Sequence, residues 1–161
     1  SRGLGDVYKR QGYKRSKAEV LARMEQRKQS MPQHKKQDDS YISLTELARN
    51  HSKNTPGYVI QSWLRSENTL AFLNLWEQEN NPDYREAGYI ELLEKKKTAS
   101  FTLTPKLWIE KTKATGIASK QGKGGGTFAH PMIGCEFASW ISPEFKMLLL
   151  KLSLNRERLK E

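Results

Sequence analysis

Residues 123–145 read KGGGTFAHPMIGCEFASWISPEF, and the fold turns on how this stretch divides. Residues 120–126 form a basic, glycine-rich loop, and Thr127, Phe128 and Ala129 a short strand. Residues 131–140 follow as an apolar helix, with Ile133, Phe137, Trp140 and Ile141 at near-helical spacing. Ser142-Pro143-Glu144 opens a last helix, in which Phe145, Leu148, Leu149 and Leu152 are expected to make a buried stripe. The loop is not a nucleotide-binding P-loop. That motif needs four residues between its first glycine and Gly-Lys, then Ser or Thr. Here five residues separate Gly116 from Gly122, Gly124 follows Lys123, and a helix precedes the loop. The dinucleotide fingerprint fails as well, because no βαβ unit surrounds the glycines. What remains is bare backbone that can lie close to a phosphate, with Lys120 and Lys123 beside it.

Upstream, the chain is punctuated by helix starts. Ser43 followed by Glu46 is a capping box, with Ile42 and Leu47 placed as a hydrophobic staple, and it opens a helix over residues 44–50. A polar connection at 51–54 leads to Thr55-Pro56, a cap followed by proline, and a helix over 56–65. Ser66 caps a third helix to about residue 79, with Leu70, Leu73 and Trp76 inward and Phe72 and Leu75 widening the stripe. A proline turn at 80–83 ends it. Residues 89–93 and 99–103 are strand-like patches. Thr104-Pro105 opens another helix, stapled by Leu103 and Trp108 and stopped by Gly116 as a left-handed cap residue. The class is a helix-rich α+β domain.

The helices at 44–50 and 56–65 are short, adjacent and joined by a polar turn, which is the layout of a helix-turn-helix. On the second, Ile60, Trp63 and Leu64 share a core face, and Tyr58, Gln61, Ser62 and Arg65 share the other. Glutamine can bond adenine through two hydrogen bonds, and arginine guanine or phosphate. Lys53, Asn54 and Thr55 stand at the helix start, where the dipole favours an anion. Lys111, Lys113, Lys120 and Lys123, with Gly124 and Gly125, complete the candidate DNA-contacting set.

The bulk numbers agree with a polyanionic partner. The net charge is +10 and the pI near 9.7. Composition alone does not choose between nucleic acid and anionic lipid, but distribution is informative. Residues 66–94 carry Glu67, Glu77, Glu79, Asp83, Glu86, Glu91 and Glu94 against Arg85, while residues 95–123 carry eight lysines against Glu110. That reversal predicts separate acidic and basic faces.

Mean hydropathy is −0.79 and no apolar run is long enough to span a membrane. The single cysteine, Cys135, leaves no internal disulfide framework and fits a reducing compartment. His34, His51 and His130 have no metal-ligand spacing, so neither metal nor cofactor is expected. No nucleophile, base and orienting group converge, and Glu91/Glu94 reads as a solvated acid pair. The sequence reads as that of a non-enzymatic protein of the cytoplasm. Residues 1–37 read as an extension, with a sequence scar at 2–11, a short helix at 17–28 and a linker at 30–39. The domain spans 38–154, and 155–161 reads as a tail cut inside a longer helix.

Four segments carry a family resemblance: DSYISLTELA (39–48), IQSWLRSENTLAFLNL (60–75), WIEKTKATGIA (108–118) and the opening stretch. Together, over roughly 39–152, they resemble the KilA-N domain of bacteriophages, prophages and large DNA viruses. The resemblance implies kinship with the fungal APSES DNA-binding domain: a compact fold with a helix-turn-helix and a basic, wing-like hairpin. It also implies sequence-directed binding of double-stranded DNA in phage or mobile-element regulation, inside a bacterial host. Trp63, His130, Trp140, Ser142, Pro143 and Phe145 match motif positions read as structural, and residues 123–126 match the basic loop. MPQHKKQD at 31–38 is a poor match to the family's strand-forming stretch, so the first strand is expected to be missing or replaced. No C-terminal effector domain is expected within the sequence. The second reading is a protein-interaction module, docking a partner regulator as an antirepressor would, through the third helix and the acidic 66–94 segment. RNA binding is disfavoured, because no pair of exposed aromatics on a sheet is evident.

Overall fold

A computed structural model describes residues 40–158 continuously, together with residues 18, 19, 21, 22, 25 and 26. Those six isolated positions are helical, within the helix expected at 17–28. The scar, the linker and the 31–38 segment lie outside the described residues. The chain divides into two compact units, residues 35–143 and residues 1–34 with 144–161.

The larger unit is a helix-rich α+β arrangement. In chain order it runs β1 (Ile42–Ser43), α1 (Leu44–His51), α2 (Pro56–Leu64), α3 (Glu67–Asn80), α4 (Glu86–Lys95), α5 (Pro105–Thr112), β2 (Ile117–Lys120), β3 (Gly126–Ala129) and α6 (Pro131–Ile141). The three strands form an antiparallel sheet in the order β1-β3-β2. Ala129 pairs with Ile42 on one side and Ile117 on the other.

The helices begin where short polar side chains can take up orphan amides. Ser43 Oγ accepts from Glu46 N–H, Ser66 Oγ from Thr69 N–H and Thr104 Oγ1 from Leu107 N–H. His130 plays the same part for α6, its Nδ1 accepting from Met132 N–H at 3.1 Å. The carboxylate of Glu46 turns to Arg49 one turn on.

One core collects the inward faces of these elements. Trp63, Trp108 and Phe137 are its largest fully buried members, with Leu44, Leu64, Leu70, Leu73, Leu92 and Ile133 around them. Trp63 meets Phe137 edge-on, with centroids 5.1 Å apart, so α2 is pinned to α6 through two aromatic rings.

Strand β2, not a helix, leads into the glycine loop, and four further expectations give way. Residues 89–93 are helical, inside α4, and 99–103 contain no strand. A short apolar run fits either periodicity, and here Leu92 and Gly88 face the core one helical turn apart. The left-handed residue that ends α5 is Lys113, with φ 54°. Gly116 is needed for closeness instead, since a Cβ there would lie 2.5 Å from Ile133 and 2.8 Å from Trp76. Leu75 is exposed and adds nothing to the stripe of α3.

The fourth concerns the helix that follows, α7 (Pro143–Arg158). Only Phe145 and Leu149 of its expected stripe are partly covered, while Leu148 and Leu152 are exposed, as are Met147, Leu150 and Leu154. Apolar residues lie on every side of this helix, so no single stripe is set apart.

Candidate nucleic-acid interface

The α1–α2 turn is built from backbone and one serine. Ser52 N–H donates to Ala48 carbonyl, and Ser52 Oγ accepts from Asn54 N–H at 3.2 Å. This leaves Lys53, Asn54 and Thr55 exposed at the start of α2. Thr55 makes no side-chain cap bond, and Pro56 follows at the first helical position. Val59, Ile60, Trp63 and Leu64 are buried, so the helix presents its other side outward. Tyr58 is half exposed, Gln61 and Ser62 are partly exposed and Arg65 is open. The Arg65 guanidinium lies 5.9 Å from the Tyr58 ring centroid, an arrangement favourable to the cation.

Behind the helix, Trp63 Nε1 donates to Glu136 Oε2 at 2.5 Å. At its end, Lys96 Nζ donates to the Arg65 carbonyl, and burial pulls the Lys96 ammonium below the ordinary lysine range.

Tyr58, Ser62 and Asn54 also share a groove with His51, Ser52, Val59, Ile141 and Trp140. Trp140, read from sequence as structural, is 45% exposed. One of its faces is backed by Phe137, nearly parallel at 20°. The other motif positions are placed as follows. Trp63 is fully buried, Ser142 ends α6, Pro143 opens α7, and the His130 ring lies between Tyr41 and Trp76.

The second candidate group is the β2–β3 hairpin. Lys120 pairs with Gly126 across it, and residues 121–125 form the tip. Gly122, Gly124 and Gly126 all have positive φ, of 84°, 73° and 137°. The tip therefore needs glycine for its conformation as well as for close approach. Lys123, Gly124 and Lys120 are exposed and Gly125 is partly so. The Lys120 ammonium lies 5.5 Å from the Phe128 ring centroid. Thr45 Oγ1 on α1 accepts from Thr127 N–H at 2.9 Å, tying hairpin to helix pair.

The base of the hairpin is held by a residue that sequence reading counted in the acidic 66–94 block. Glu77 is 1% exposed. Its carboxylate accepts from Thr115 N–H at 2.9 Å, Gly116 N–H at 2.7 Å and Asn81 Nδ2 at 2.8 Å. Asn81 also donates to the Lys113 carbonyl, and Tyr41 Oη to that of Thr115. Burial pushes the Glu77 carboxyl above the ordinary glutamate range, against the opposing pull of these hydrogen bonds. No local pattern marks Glu77, because its backbone partners lie 38 and 39 residues away.

Lys111 and Lys113 belong to neither group. Lys111 is partly buried and donates to Glu91 Oε1 at 2.9 Å, and Lys113 is the exposed left-handed residue after α5. The expected separation of acidic and basic faces is modified here. Glu91 pairs with Lys95 and Lys111, and Glu94 with Lys97, so part of each block neutralises the other. Hydrogen bonds from Lys111 and Lys95 hold the Glu91 carboxyl below its ordinary range. Among the described residues, no three His, Cys, Asp or Glu side chains are grouped to hold a metal, and no helix is long and apolar enough to cross a membrane.

The KilA-N domain family model matches residues 26–157. The chain belongs to the KilA-N domain family. It is 46% identical over 50 residues to Protein kilA of Escherichia phage P1, a stretch covering 29% of this chain and 19% of the phage protein. The chain therefore matches about a fifth of that relative's length. No solved structure matches it. Both the α1–α2 pair and the hairpin of this KilA-N domain fall inside the matched residues.

Proposed function

We propose that this KilA-N domain is the non-catalytic, duplex-DNA-binding module of a phage- or prophage-type regulatory protein, acting in the cytoplasm of a bacterial host. The outward face of α2 carries the reading. It sets Gln61, Ser62 and Arg65 beside one another on a helix fixed from behind by Trp63, and it begins in exposed Lys53 and Asn54. Side chains of these types bond base edges in the major groove. The hairpin supplies the second contact, with Lys120 and Lys123 near phosphates and the glycine tip close to the backbone. Lys111 and Lys113 are secondary contacts in this reading, since Lys111 would first have to leave Glu91.

Docking of a partner protein on the 66–94 segment receives less support. Glu77 is inside the fold and Glu91 and Glu94 are paired with lysines, which removes three of that segment's seven acids from the surface field.

The test is duplex binding measured at several salt concentrations. Affinity is expected to fall steeply and linearly on a log–log plot, with a slope of about −0.9 per phosphate neutralised. No binding even at low salt overturns the reading.

A further inference from the structure

The groove between α2 and α6 has features that major-groove reading does not use. Helical spacing from Ile133 and Phe137 would turn Trp140 inward, yet its indole is 45% exposed on the groove. Tyr58 flanks the same groove and is 52% exposed. Val59 and Ile141 line it between them, and His51, Asn54 and Ser62 add hydrogen-bonding groups. Among the described residues no carboxylate lines it, in a chain of net charge +10. Its volume is about 250 Å³, below the ~300–1,000 Å³ of drug-sized ligand sites but room enough for one planar ring system. An amphipathic helix would need a longer row of apolar pockets, and a bare phosphate would not call for two aromatic flanks.

We infer that this groove receives a single unpaired nucleobase of DNA. The base stacks on an exposed aromatic face while Asn54, Ser62 or His51 bonds its edge, and Lys53, exposed at the adjacent turn, meets its phosphate. The inference rests on the DNA-binding reading above and adds to it a preference for locally unpaired DNA.

Three DNAs of one sequence test it: a fully paired duplex, the same duplex with one unpaired nucleotide, and the single strand, each titrated by fluorescence anisotropy. The full chain is expected to bind the bulged duplex roughly ten-fold more tightly than the paired one, the scale of one base–aromatic stack. Trp140→Ala and Trp140→Leu should each erase that preference while leaving paired-duplex affinity within about two-fold. Tyr58→Ala should weaken both, and the bulged duplex more. A 2-aminopurine at the unpaired position should lose fluorescence on binding the wild-type chain, a readout that needs no variant to fold. Equal binding of bulged and paired duplex, a preference kept in both Trp140 variants, or unchanged 2-aminopurine fluorescence overturns the inference and leaves duplex binding intact. Failure to bind any of the three overturns the DNA-binding reading itself.

Discussion

The helix pair α1–α2 and the β2–β3 hairpin are held in place by different balances of apolar burial and polar bonding. The helix pair is positioned by apolar burial. Leu44, Ala48, Ile60, Trp63 and Leu64 are all at or below 3% exposure, and the outward residues follow from that by helical geometry. The hairpin adds Ile117 and Ala129 to the same core, and beside that burial it is tied down by directional bonds. Polar side chains reach the backbone leading into it, Glu77 and Asn81 from α3 and the residue just after it and Tyr41 from just before β1, while Thr45 from α1 reaches β3 directly. Burial is non-directional and tolerates small shifts, whereas a carboxylate that accepts several N–H groups fixes one geometry. The helix pair and the hairpin can thus be perturbed separately.

The largest effect should come from cutting the apolar anchor. Trp63→Ala removes a fully buried ring and leaves the Glu136 carboxylate without its indole donor. A loss of ~3–5 kcal/mol is expected, of the size seen for large-to-small aromatic substitutions in cores. Urea unfolding checks it through a lower midpoint at unchanged slope. A loss under ~1 kcal/mol would show that α2 is held by something other than this contact.

Next comes the polar anchor. Glu77→Gln replaces an all-acceptor group with one that turns donors toward backbone N–H groups, and the expected loss is ~1–3 kcal/mol. Amide exchange at Thr115 and Gly116 should quicken more than exchange in α2, which makes the damage local. The pH dependence is a second readout. Glutamate titrates near 4.5 when unfolded, and burial raises Glu77 above that value in the fold. The folded state therefore holds the proton more tightly. The stability this contributes is fully present below about 4.5 and is lost as pH rises through the folded value. The stability gap between wild type and Glu77→Gln should thus widen as pH falls toward 4.5. A gap that narrows would mean that the hydrogen bonds outweigh desolvation.

The same contrast explains what the sequence made legible. Apolar periodicity and caps are local, so Ser43, Ser66 and Thr104 mark true helix starts, and Ile60, Trp63 and Leu64 are buried as expected, joined by Val59. Residues 89–93 misled because five residues of mixed apolar character carry too little period to separate helix from strand. Glu77 misled for a different reason: a carboxylate is read as solvated unless its partners are seen, and those partners sit across the fold. Trp140 fits the inward spacing of α6 but comes at its last turn, beside the groove rather than under the core.

A smaller effect is expected at the joint between the two regions. Thr45→Val keeps the shape of the side chain but removes the acceptor for Thr127 N–H, at a cost of about 1 kcal/mol. The hairpin amides, not those of α2, should report it by faster exchange.

The smallest effects on the fold separate the two regions as proposed DNA contacts. Arg65 and Lys123 are both exposed, so alanine at either should leave stability within about 0.5 kcal/mol. Their consequences for binding should diverge. Arg65 lies on the exposed side of α2 proposed to read bases, with its guanidinium over Tyr58. Arg65→Ala is expected to cost about 1–3 kcal/mol on the preferred duplex and less on others, flattening discrimination. Lys123 is exposed on a tip whose positive-φ positions are Gly122, Gly124 and Gly126. Lys123→Ala should weaken binding to all duplexes alike and reduce the magnitude of the salt slope by about one. A duplex-pool selection run beside a salt titration distinguishes the two. If Lys123→Ala changes the selected sequence, or Arg65→Ala changes only the slope, the roles assigned to hairpin and helix are reversed.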